Sequence, residues 1–410
     1  MLRTLLVKPL AWIAPVITAL VVVLYALVNY GSSLNLSLNA KALPLALVNL
    51  DTGASVGSLR LELGKRALEG VKQNPQIVDK VALSVLPSRT EALEGLRDNR
   101  YWAVLVLPTD FSGKIVALSS GRPQGAVRLE VLTNPAAGAA ALSLGQNILE
   151  GAGRGIGQSV QKQILSALES RKVQLPAQVA ALIGNPVEIV TTPAVTVGDH
   201  SARGASSFYL TFVAVLAGFM AANVVQAVLG EIYAGAITRG TRPHHVGFYL
   251  ARLGVGLVAC LLSSGVSVLI AVLLGLDHTS SVLALTLYSF MVSSMALSLT
   301  LLFLSVLGPR GVIAAVLFNI VLFSSLNGAN QPVQTLPDFL RVLADALPFR
   351  AAADGMRSLL FYDGRLEAGL AGGLIMLGSY FVGGALLTLL YVGNLDRKHS
   401  KAFTSQAVSA

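Results

Sequence analysis

Charge and cysteine are the scarce commodities of this chain, and each shortage closes off a class of protein. Only 12% of its 410 residues are Asp, Glu, Lys or Arg, whereas 54% are hydrophobic, and the mean hydropathy is +0.68. Soluble domains carry about 25% charged residues, so most of this sequence is not built to face water and reads as an integral membrane protein. The one cysteine, Cys260, lies in an apolar run. A single chain can therefore form neither a disulfide nor a cysteine-based metal site, and an exported portion would fold without covalent staples. No G-x-x-x-x-G-K-[ST] occurs, so any ATP that drives the protein is bound by another polypeptide. The net charge of +9 is scattered over loop ends and over residues 31–207, with no basic run or RNA-binding signature, which argues against nucleic acid.

What is present is a set of long apolar runs. A spanning helix needs about 20 such residues, and six stretches qualify: roughly 10–30, 208–230, 250–274, 282–307, 312–328 and 369–393. The first follows Arg3 and Lys8; its run is longer than a signal-peptide core and no clear A-x-A site follows, so it reads as an uncleaved helix. Their interiors offer only Asn223, Gln226, Asn319 and scattered Ser and Thr, with none of the ionisable residues that a proton relay requires. Arg3 and Lys8, then Arg239, Arg242 and Arg252, then Arg310, and finally Arg397, Lys398 and Lys401 all fall on one side of the expected membrane. Basic short loops stay cytoplasmic. Both termini are thus expected inside and residues 31–207 outside, in the cell membrane. Arg341, Arg350, Arg357 and Arg365 run against that rule, but acidic residues are interleaved with them.

Residues 31–207 have ordinary mixed composition. Short apolar runs at 44–49, 81–86, 101–107 and 126–133 read as strands, and 59–73, 88–99 and 108–121 as helices, with Ser88 and Glu91 at capping-box spacing. Strands alternating with helices imply a small α/β layer. From Pro135 to about Ile183 the pattern is helical and long, and "PVEIVTTPAVTV" reads as an extended return to the membrane. The glycines of "GAGRGIG" at 151–157 mimic a nucleotide-binding fingerprint but follow no strand. "LVNLDTGAS" mimics an aspartic-protease turn, yet no second D-T-G is present to share the proton. Asp51 and Gly53 are therefore read as a structural turn, Asp51 accepting backbone hydrogen bonds and Gly53 taking a positive φ, and the chain as no enzyme.

"LALVNLDTGASVG", then "SRTEALEGLRDNRYWAVLVLPTDFSGKI", then "LEVLTNPAAG" resemble, in order and spacing, the outer domain of the YhgE/Pip membrane proteins, which are related to type-2 ABC exporter permeases. "GEIYAGAITRGTRPHHVGFYLAR" resembles the segment through which such permeases meet their ATPase; Glu231, Gly235, Arg239 and Pro243 are the residues implied, although Tyr233 and Ala236 depart from the usual pattern. A solvated basic loop is the plainer reading. The adjacent His244 and His245 are poorly placed to share one metal ion. "LPFRAAADGMR" resembles the end of the permeases' re-entrant hairpin, which singles out Pro348, Arg350, Asp354 and Arg357 for an outer gate; a surface-lying amphipathic segment over 336–361 is the alternative.

The resemblance implies one helix within 1–30, an extracytoplasmic α/β domain with a long helical arm over 31–207, and a five-helix permease-like domain over 208–410. It further implies export of an amphiphilic or lipid-linked substrate, a separate ATP-binding subunit, pairing of two six-helix chains, contact with membrane lipid, and no cofactor or metal. A surface interaction or phage-receptor role for the outer domain is the alternative.

Overall fold

The computed structural model describes residues 39–56, 59–122, 124–169, 177–240, 244–329 and 331–409, with isolated positions between 19 and 30. The span expected at 10–30 lies almost wholly outside these residues. Two compact units emerge: residues 36–199, and residues 1–35 together with 200–410. The expected border at 207/208 thus falls several residues earlier, before the helix that opens the second unit.

In the first unit, β1 (Leu43–Asn49), β4 (Val81–Leu86), β5 (Ala103–Leu107), β6 (Val127–Thr133) and β7 (Val187–Pro193) form one sheet in the order β4-β1-β5-β6-β7. The β1 strand runs parallel to both β4 and β5, with Leu45 opposite Leu83 and Ala103; β5 and β6 are antiparallel, and β6 and β7 parallel. Every residue of β5 is buried, as befits an unbroken apolar strand at the centre of the sheet. Two elements differ from expectation. Residues 187–193 complete the sheet rather than merely leading away from it. Residues 59–61 form strand β3, paired with β2 (Ala54–Val56), so the helix α1 begins only at Leu63 and runs to Lys72. Leu59 and Arg60 are exposed, and pairing satisfies backbone groups that a helical first turn would leave open.

After the short α2 (Pro75–Val78) and β4 comes α3 (Arg89–Arg97), where the Ser88 side chain accepts from Glu91 N at 3.1 Å. Helix α4 (Phe111–Ser119) follows β5, α5 (Ala139–Glu169) follows β6, and α6 (Ala177–Gly184) precedes β7. The "GAGRGIG" glycines sit in the middle of α5, not in a strand-to-helix turn. Gly153 and Gly157 lie over Ile189 and Val187, so a bare backbone lets the helix settle on the sheet.

Asp51 ties three of these elements together. Its carboxylate accepts from Gly64 N (2.9 Å) near the start of α1, and from Ser112 N (2.9 Å) and Ser112 Oγ (2.5 Å) at the start of α4. Two helix N-termini, each with free donors and positive dipole ends, converge on one negative charge. Gly53 follows at φ +78°, which only glycine adopts without strain. Asp51→Ala is expected to lower stability by about 2 kcal/mol, as loss of a charged cap does. Hydrogen exchange would show this as faster exchange confined to the first turns of α1 and α4; unchanged protection there would refute the shared cap.

The second unit holds four helical runs long and apolar enough to cross a membrane: Ser206–Thr238, His245–Leu273, Val282–Leu326 and Leu366–Lys398. The first two are helices α7 and α8. The third is not straight. Helix α9 (Val282–Leu307) ends at Gly308, at φ +61° and ψ −143°, and the chain doubles back through α10 (Gly311–Val316), a π turn at 317–322 and α11 (Phe323–Leu326). Asn319 Nδ2 then donates to Thr300 Oγ1 at 3.2 Å, a contact that 19 residues of straight helix, roughly 28 Å, would forbid. Helices α12 (Asp338–Ala346) and α13 (Pro348–Phe361) come next, followed by a π turn at 366–370 and α14 (Ala371–Ser409). Five of the six expected spans thus fall within the described residues and are covered by four runs, one of which, the hairpin, holds both 282–307 and 312–328.

Candidate functional site

Successive helices of the second unit alternate between two ends, and each end gathers residues that could do chemical or mechanical work. At one end, α7 continues past the boundary expected at 230 and reaches Thr238, so Glu231 and Gly235 lie on helix rather than loop, and Arg239 caps it. Glu231 and Arg239 are exposed and Gly235 is half-buried. Pro243 lies outside the described residues.

Tyr233 builds the junction between α7 and α8. Its hydroxyl accepts from His244 N at 2.9 Å, and its ring stacks on Phe248 at 4.2 Å. The His244 side chain accepts from Gly247 N at 2.7 Å, capping α8. Asp396, far along the chain on α14, accepts from His245 N (2.8 Å) and Val246 N (3.0 Å). A carboxylate on two free N–H groups at a helix start satisfies both the donors and the dipole.

Arg252 corrects the loop assignment made from positive charge alone. It lies one turn inside α8 beyond Phe248, is 4% exposed, and donates to Gln226 Oε1 of α7 and, at 3.1 Å, to Ser305 Oγ of α9. Its guanidinium sits 4.5 Å from the centre of the Phe248 ring. No ion pair involves it among the described residues. Three helices are therefore pinned by one cation held by neutral acceptors and an aromatic face.

The other end lies roughly 36 Å away along α9, from Ser281 to Ser305 at 1.5 Å per residue. Here Pro348 opens α13. Arg350 pairs with Asp345 (2.5 Å) and reaches Asp354 (3.6 Å), while Asp354 holds Arg357 at 2.7 Å. Arg357 is 3% exposed and also donates to the Gly328 carbonyl at 3.4 Å.

Helix α12 keeps Phe339 and Val342 exposed, whereas α13 is buried on most of its surface, so 336–361 comprises two helices of different burial. Tyr288 Oη donates to the carbonyl of Ala352 at 3.1 Å, and a Cβ at either Gly355 or Gly373 would collide with that hydroxyl. Thr279 N and Ser280 N donate to the carbonyls of Leu360 and Leu359, which fixes the α8–α9 connection to the end of α13.

Asp51 and Gly53 belong to the sheet-bearing unit, where they form the turn that caps α1 and α4. Sequence reasoning found the Arg350, Asp354, Arg357 spacing but missed Tyr233, Arg252, Ser305 and Asp396. The i, i+4 recurrence of Phe248 and Arg252 was a local signal for one helix face; the remaining partners come from distant helices.

A helical unit with four runs long and apolar enough to cross a membrane, in a chain that also carries a sheet-bearing unit, is consistent with a membrane permease. The family model described as "ABC-2 family transporter protein" matches residues 11–390, and the chain belongs to that family. Such permeases generally work with a separate ATP-binding subunit. The chain is also similar to the crystal structure of a domain from Thermotoga maritima MSB8 assigned to an ABC type-2 transporter. Identity is 20%, the alignment covers 36% of this chain and 83% of that one, and the TM-score is 0.24. No curated protein matches.

Proposed function

We propose that this protein is the membrane-spanning subunit of an exporter that moves an amphiphilic or lipid-linked substrate, powered by a separate ATPase that docks where α7 meets α8. The observation that carries this reading is the junction itself. Tyr233, His244, Phe248 and Asp396 hold a rigid frame, yet Glu231 and Arg239 project from it exposed. A lever needs such a combination: outward contacts for a partner and inward links, through Arg252, to three helices that a partner's movement would shift together.

Several further assignments belong to the proposal. Arg239, Arg310, Arg397 and Lys398 gather at the junction end, which the positive-inside rule makes cytoplasmic. The α12–α13 pair then lies at the outer end, with α13 re-entering the bundle and the Asp354 cluster supporting an outer gate; the sheet-bearing unit is extracytoplasmic. We assign the chain to the YhgE/Pip group on the motifs around Asp51, and expect a second copy or a related permease to complete the pathway.

The test is affinity purification from the native membrane, followed by ATPase assay. Glu231→Ala with Arg239→Ala is expected to reduce recovery of a nucleotide-binding subunit at least tenfold while leaving the thermal midpoint of the purified permease unchanged. Recovery of no ATPase from the unaltered protein, under conditions that keep ABC complexes intact, would overturn the reading.

A further inference from the structure

The sheet-bearing unit contains a cavity of about 300 Å³ between α1, α5 and the start of α4, at the lower end of the range usual for ligand sites. Its two walls are helical stripes. Leu63, Ala67 and Val71 line one, and Ala152, Ile156 and Val160 the other, with the fully buried Phe111 between them. The second wall runs from residue 152 to residue 163, so the slot is roughly 16 Å long.

Each wall carries a glycine in mid-helix, Gly70 and Gly155. A Cβ on either would find no atom within 4 Å beyond its own stretch of helix. These glycines therefore differ from Gly153 and Gly157, which bring α5 onto the sheet. They weaken their helices relative to alanine and return no packing within the structure; both line the slot and are themselves exposed, so they widen it on its open side. The polar side chains of the lining are those of Arg66, Asn74, Ser159 and Gln163. Arg66 is exposed, forms no ion pair among the described residues, and stands beside the apolar lining, with Ser159 and Gln163 on the facing wall.

We infer that this slot binds a single acyl chain whose anionic head group is held by Arg66. An elongated apolar space matches a hydrocarbon chain, and a guanidinium at the rim is suited to two oxygens of a carboxylate or phosphate, which stays in water. The cavity supports binding by itself; identifying the occupant with the exported substrate rests on the function proposed above.

The experiment uses the full chain in lipid nanodiscs and a dodecanoate carrying a photoreactive diazirine near its methyl end, with cross-linked peptides located by mass spectrometry. Labelling is expected within 63–74 and 152–163, and to fall at least tenfold in Gly155→Leu and Gly70→Leu. Gly155→Ala separates binding from folding, since it is expected to raise the thermal midpoint while weakening labelling. Arg66→Gln is expected to abolish the preference for dodecanoate over a matching dodecanol probe.

Unlabelled dodecanoate and lauroyl lysophosphatidylglycerol then compete; whichever displaces the probe at lower concentration identifies a free acid or a lipid as the source. Labelling outside the slot, labelling unchanged in Gly155→Leu, or competition by neither would overturn the inference. Because labelling needs no ATPase, absence of a partner ATPase with labelling intact would remove the export reading and leave the site standing.

Discussion

Gly218→Leu is expected to prevent the helical unit from assembling. Ala214, Gly218 and Ala222 occupy one buried stripe of α7 against α9, and a Cβ at 218 would strike the main-chain carbonyl of Ser293 and approach Ala296 Cβ to 2.9 Å. A flexible side chain could turn aside from such a collision, but a backbone carbonyl inside a helix cannot, so the two helices must separate along their contact. Between membrane helices close packing supplies much of the attraction, and separation forfeits it over several turns. A loss of about 4 kcal/mol or more is expected, the range reserved for severe core disruption. The measurement is the yield and thermal midpoint of monodisperse protein in mild detergent. Gly218→Ala is expected to fall between wild type and leucine. Gly230→Ala, whose added carbon would meet only Gln226 at 3.6 Å, is expected to be nearly neutral. A wild-type midpoint for Gly218→Leu would refute the close crossing of α7 and α9.

The elements legible in the sequence are those whose causes are local. Strand β4 was readable to the residue because "VALSVL" is bounded by Asp79 and Lys80 on one side and Pro87 on the other, and α3 because Ser88 stands at its start. The ion pairs of α13 followed from spacing, since residues three and four apart share a helix face. The start of α8 was not readable. It depends on Asp396, a carboxylate about 150 residues away whose role appears only when α14 returns beside α8. With that start misplaced, Arg252 looked like a loop charge. Residues 59–61 were misread for a similar reason: their alternation of apolar and charged residues also fits the start of the helix behind them, and only pairing with 54–56 separates the two. The acyl slot left a trace in "GAGRGIG", but its meaning required knowing which glycines touch the sheet and which touch nothing.

Asp354→Ala is expected to cost about 3–5 kcal/mol, because it strands a buried guanidinium without its counter-charge. Arg357 would keep only the Gly328 carbonyl, at 3.4 Å, and its Nε already lacks a partner among the described residues. Arg350→Ala tests the same carboxylate from its other side, yet Arg350 is part-exposed and sits 3.6 Å from Asp354, so its loss is expected to cost about 1 kcal/mol or less. The contrast isolates burial as the cause, since both arginines are within reach of one acid on one helix. A double variant sharpens it. Asp354→Ala with Arg357→Met removes the charge together with its partner, and similar replacements of buried pairs by apolar side chains are often neutral, so most of the lost stability is expected to return. Thermal midpoints of the purified variants decide the matter. Equal losses for Asp354→Ala and Arg350→Ala, or no recovery in the double variant, would mean that Arg357 is held by its packing among the helices rather than by Asp354. Recovery would instead leave a folded permease lacking only the pair, and transport measured in that variant would separate a gating role of the pair from its contribution to stability.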